Sequence, residues 1–148
     1  MRRLAFAMIL LALASAYGAK DETVDELKSR FESARPEDRP ELGIRIAQHQ
    51  LRDADKLYSE GNADPARADV DDIVTYCEKA RDAAIQTKKR LKNVEIDVRK
   101  MAEKLRDIKR TLAFEDQAPV EQAIHRLEDI RTTLLKEMFA KEDKREKK

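Results

Sequence analysis

From Ala66 to Phe114 the chain contains neither proline nor glycine, and apolar or small residues recur there at spacings of three and four. Val70, Ile73, Cys77, Ala80, Ala84, Thr87, Leu91, Val94, Val98, Met101, Leu105, Ile108 and Leu112 form one continuous heptad-like register. Such a stripe is the signature of an amphipathic helix with one face buried. With Asp64 as cap and Pro65 at the first helical position, the pattern predicts a single helix over 65–114, about 50 residues and roughly 75 Å long. A compact domain of this size has a radius of gyration of only about 14 Å, so such a helix would make the molecule elongated.

Three further helices follow from local chemistry. Thr23-Val24-Asp25-Glu26 has the form of a capping box and opens a helix over 24–34, which Pro36 ends. Asp38-Arg39-Pro40 opens a second over 39–60, with the proline tolerated in the first turn and Gly61 in place for a left-handed C-cap. After the register lapses at 115–118, Pro119 opens a helix over 117–141, striped by Val120, Ala123, Leu127, Ile130, Leu134 and Met138. Residues 141–148 lack apolar spacing and read as a frayed, charged tail. The fold class is all-α: an elongated antiparallel bundle or coiled coil, one domain over 17–140. Short connections favour antiparallel neighbours, pairing Leu51 with Ile73, Ala47 with Cys77, Leu105 with Leu127 and Val98 with Leu134.

Residues 54–66 resemble the turn of a tetratricopeptide repeat, with a Leu-Tyr pair, a Gly turn and a following Ala. The segment is 13 residues and occurs once, whereas a solenoid needs about three stacked repeats. It reads as a generic helix-turn-helix.

The first residues read as a secretory signal peptide: basic Arg2-Arg3, an apolar Leu4–Ala14, then small residues that place cleavage after Ala16, or alternatively after Gly18. Eleven apolar residues are too few to span a hydrocarbon core, which needs about 20. The expected location is therefore the periplasm or the extracellular space. Without Arg2 and Arg3 the charge is −1, from 29 basic and 30 acidic residues. That balance does not call for nucleic acid. The lone Cys77 lies on the apolar stripe; it is either a small buried residue or one half of an intermolecular disulfide.

Charge is uneven along the predicted long helix. Residues 53–82 carry nine acids and four bases, and residues 86–112 ten bases and four acids. Antiparallel association would set opposite charges against each other, and the basic stretch could also touch anionic polymers or lipid headgroups. With only the last helix to cover it, the C-terminal half of the long helix would leave apolar surface exposed, including Ile85, Ile96, Ile124, Leu135 and Phe139. Exposed apolar patches mark interfaces, so an antiparallel homodimer through 88–112 and 119–139 is expected, or another protein partner in its place.

Motifs of chemistry are sparse. No glycine-rich phosphate loop, G-x-S-x-G, H-E-x-x-H or C-x-x-C occurs. The two histidines, His49 and His125, lack the Glu-x-x-His spacing of a di-iron bundle. Neither joins a nucleophile-and-carboxylate constellation. No catalytic, cofactor or metal residues are assigned. The expected function is that of a non-enzymatic scaffold or adaptor of the bacterial cell envelope; the alternatives are a periplasmic holdase and, remotely, a haem or metal bundle using His125 with Met101 or Met138.

Overall fold

The computed structural model describes residues 22–146, apart from the side chains of residues 141–143. The signal peptide and both cleavage points lie outside the described residues. Five helices follow in order: α1 (Val24–Ser33), α2 (Arg39–Ser59), α3 (Ala63–Thr87), α4 (Leu91–Thr111) and α5 (Phe114–Glu146). No helix among the described residues is long and apolar enough to cross a membrane.

Local signals act much as the sequence suggests at the first two helices. The Thr23 hydroxyl accepts from the Glu26 N–H at 3.2 Å, and the Glu26 carboxylate accepts from the Thr23 N–H at 3.1 Å, completing the capping box. At the end of α2, Gly61 takes φ +80°. The Asn62 N–H donates to the Leu57 carbonyl at 2.8 Å and the Gly61 N–H to Tyr58 at 3.1 Å, the pair of bonds that closes a Schellman turn. Three helix starts differ from expectation: Asp38 stands at the N-cap of α2 but accepts from Arg35 at 3.2 Å instead of capping with its side chain. Asn62, rather than Asp64, holds the N-cap position of α3, leaving Asp64 in the first turn. Helix α5 starts at Phe114, so Pro119 lies inside it. There the proline removes one backbone donor close to the helix start, where few intrahelical bonds depend on it.

The main correction concerns the long helix. The chain turns at Lys88-Lys89-Arg90, dividing 65–114 into α3 and α4. Lys88 (φ 57°, ψ 24°) and Arg90 (φ 60°, ψ 16°) both adopt the left-handed conformation without being glycine. Each such residue costs about 1–2 kcal/mol. What offsets this is burial: Val94, Val98, Met101 and Leu105 are at most 3% exposed once α4 folds back. At about 1.5–3 kcal/mol per buried aliphatic side chain, two or three of them outweigh the elbow. An extended spine would leave that face covered by α5 alone.

The result is two antiparallel hairpins packed side by side. In the first, α2 runs against α3, with Gln50 donating to Asp72 at 2.7 Å. In the second, α4 runs against α5, tied by Arg106–Glu128 at 2.7 Å and Arg131–Glu95 at 2.9 Å. The hairpins stack in parallel. Lys104 reaches Asp55 at 3.0 Å and Arg90 reaches Glu41 at 3.0 Å, joining α4 to α2. Arg67 reaches Asp116 at 3.4 Å and Arg126 pairs with Glu78, joining α3 to α5. Helix α1 lies beside the first hairpin: Lys28 bonds Asp72 at 2.8 Å, and Phe31 meets Tyr76 edge-on at 5.6 Å.

The two hairpins also share a sequence pattern. Leu51-Arg52-Asp53 and Pro65 of the first recur as Leu105-Arg106-Asp107 and Pro119 of the second, fifty-four positions later. Buried positions follow the same offset: Ala47 and Met101, Ala54 and Ile108, Ala66 and Val120, Ile73 and Leu127, Ala80 and Leu134. At four of these five pairs the first hairpin has alanine where the second has a larger residue, and Gly43 of α2 stands close to the Tyr76 carbonyl and Ala80 of α3.

Candidate interaction surface

The basic stretch of residues 86–112 divides sharply once its partners are known. Its C-terminal part is taken up in holding the fold: Lys104, Arg106, Lys109 and Arg110 pair with Asp55, Glu128, Glu121 and Asp107. Its N-terminal part points outward. Lys89, Lys92, Arg99 and Lys100 are exposed and stand outside every ion pair among the described residues. Half-buried Ile96 lies between Lys92 and Arg99 on the same outward face of α4.

At the elbow end this face continues into a cleft lined by Lys88, Arg90, Leu91, Lys92, Asn93, Met138 and Arg145. Leu91 is buried and Met138 partly buried, so the floor is apolar and the rim cationic. Glu137 and Glu41 bond Lys88 and Arg90 at 3.1 and 3.0 Å. Phe139, 58% exposed, stands one residue beyond Met138. Helix α4 opens here without a side-chain cap and with no acid in its first turn. Its positive dipole end therefore adds to the lysines rather than being neutralised by a carboxylate. The chemistry suits a partner that brings carboxylates or other anions together with an apolar contact.

The apolar surface behind the expected homodimer is covered in part. Ile124 is 5% exposed, and Ile85, Ile96, Leu135 and Met138 are half-buried. Helices α2 and α3 supply the cover that a straight spine would have lacked. Phe114, at 87%, and Phe139 are the exposed large hydrophobic residues among those described.

Cys77 has no exposed surface, and burial pushes its thiol well above the usual range. A disulfide to another chain would require the core to open. His125 is exposed and bonds Glu121 at 3.2 Å, whereas Met101 faces the core at 3% exposure, so the two do not converge. His49 is half-buried on α2. No group of three or more metal-ligating side chains comes together among the described residues.

The opposite charge character sits on α3, with six acids and three bases. Burial, then the neighbouring Asp53 and Asp72, raise the Asp69 carboxyl above its ordinary value, with Lys28 partly offsetting them. A carboxylate whose folded pKa lies above its unfolded one destabilises the fold once ionised, and this cost disappears as pH falls below the unfolded value. Asp69→Asn is therefore expected to melt at a higher temperature than wild type near neutral pH, the two curves converging in acid. Circular-dichroism melts across a pH series check this; an unchanged difference in acid would contradict it.

No protein-family model, curated protein or solved structure matches this chain.

Proposed function

We propose that the protein is a non-enzymatic adaptor or scaffold of the bacterial cell envelope, exported by its N-terminal segment and working through the cationic elbow end. The observation that carries this reading is the cluster of exposed Lys89, Lys92, Arg99 and Lys100, outside the salt bridges among the described residues and continuous with a cleft of apolar floor and cationic rim. Elsewhere on α4 the fold neutralises its own bases, so the retained cationic face is a separate feature of the molecule. The partner is a protein with an acidic, partly apolar surface, or a second copy of this chain, whose acidic α3 offers the complementary charge. A holdase needs broad apolar surface; two exposed phenylalanines favour the adaptor over it.

Crosslinking mass spectrometry on the intact envelope tests this. Crosslinks to a partner other than a second copy should concentrate at 88–100 and 136–145, and Lys89→Glu with Lys92→Glu should remove them while leaving helicity unchanged. Binding that survives the charge reversal, or crosslinks confined to cytoplasmic proteins, would overturn it. Rim charges act mainly on association rate and salt dependence, so the lost interaction should also be one that weakens with added salt.

A further inference from the structure

We propose that the Lys88–Arg90 elbow is a hinge that opens into continuous helix, allowing two copies of this chain to exchange their α4–α5 hairpins. This deepens the self-association arm of the adaptor reading and rests on it only in taking a second copy as partner.

Three observations support exchange. First, the closed elbow holds two non-glycine residues in the left-handed region, a conformation that helix formation would relieve. Second, nothing in the local sequence asks for a turn. Lys and Arg are good helix formers, and the apolar register passes through the elbow without a slip, from Ala84 and Thr87 to Leu91 and Val94. Third, each hairpin pairs its own two helices, and the two are joined only through the elbow and the faces between them. The pairs Asp55–Lys104, Glu41–Arg90, Arg67–Asp116 and Glu78–Arg126 cross that face. The three that lie outside the hinge, Asp55–Lys104, Arg67–Asp116 and Glu78–Arg126, can form equally well between chains when it opens, the condition under which domain exchange becomes a low-cost route to a dimer.

In the exchanged dimer, two continuous α3–α4 helices run antiparallel, so the acidic half of one faces the basic half of the other. The two-fold axis passes through the elbows and brings Lys88, Lys89 and Arg90 of both copies together. That repulsion favours the closed monomer, and multivalent anions or an acid placed at the elbow favour exchange. Lys89→Glu is therefore expected to raise the dimer fraction at a given concentration.

The test uses the chain carrying Glu78→Cys, Arg126→Cys and Cys77→Ala, refolded at high concentration and separated by size-exclusion chromatography with light scattering. Each fraction is treated with a short bismaleimide linker and run on a denaturing gel. Exchange predicts covalent monomer from the monomer peak and covalent dimer from the dimer peak, because the α3–α5 pair then lies on different chains. Only intrachain links in the dimer peak would overturn exchange while leaving self-association intact. Monomer at every concentration, in this chain and with Lys89→Glu added, would also overturn it, leaving the adaptor reading to a different partner.

Discussion

Replacing Gly43 by leucine is expected to destabilise the fold by about 3 kcal/mol or more, the upper part of the range for overpacking a close contact. Glycine inside a 21-residue helix costs about 1 kcal/mol relative to alanine, so its presence at this position has to be explained by packing. A Cβ built on Gly43 would lie 3.0 Å from the Tyr76 carbonyl oxygen, 3.1 Å from the Ala80 Cβ and 3.4 Å from the Phe31 ring. The first of these is backbone of the facing helix and cannot swing aside. A larger side chain must therefore separate α2 from α3, which also loosens Ala47, Cys77 and Ala84, each with no exposed surface. Gly43→Ala should cost much less, because the helix-propensity gain opposes the crowding. Urea unfolding followed by circular dichroism measures both. A leucine variant as stable as wild type would show that the helices do not cross at this point.

Arg131→Met is expected to cost about 3 kcal/mol, lowering the melting temperature by about 10 °C. Arg131 joins α5 to α4 through Glu95, with its Nε and Nη2 at 3.0 and 2.9 Å from the same carboxylate oxygen. It also holds Glu128 at 2.8 Å, and Glu128 in turn accepts from Arg106 at 2.7 Å. Burial pushes the Glu128 carboxyl up, but Arg106 and Arg131 outweigh it and hold it below the usual range. The side chain of Glu95 is only 11% exposed. Removing its partner leaves an anion inside the hairpin with little water to take over, the costly way to break such a pair. Glu95→Leu combined with Arg131→Met removes both charges and should recover most of the loss. If the single and double variants melt together, the pair contributes nothing and the hairpin is held by its apolar seam alone.

Local chemistry carried the parts of this fold that depend on a few adjacent residues. The Thr23 box, the Gly61 turn and the antiparallel register of each hairpin were readable because spacing and cap residues decide them directly. The break at Lys88 was not. Its three residues favour helix, and the stripe from Ala84 to Leu91 keeps its period; the turn exists because folding back buries the inner face of α4 against α2 and α5. That gain belongs to tertiary packing, which no short window contains. One signal did point to it: the recurrence of Leu-Arg-Asp and a following proline fifty-four positions apart marks two hairpins rather than one spine. The same limit applies to the surface. The ten bases of 86–112 were visible as composition, but which of them remain available depends on where Asp55, Glu121 and Glu128 arrive in space.

The central claim is that the chain doubles back at Lys88–Arg90. Spin labels at Asp64 and Arg110, whose side chains are 94% and 75% exposed, test it by pulsed dipolar spectroscopy on the monomer fraction. A folded elbow places the start of α3 and the end of α4 at the same end of the molecule, within about 30 Å allowing for helix spacing and label length. A single continuous helix would set them about 70 Å apart, and a distribution centred there in the monomer would contradict the account.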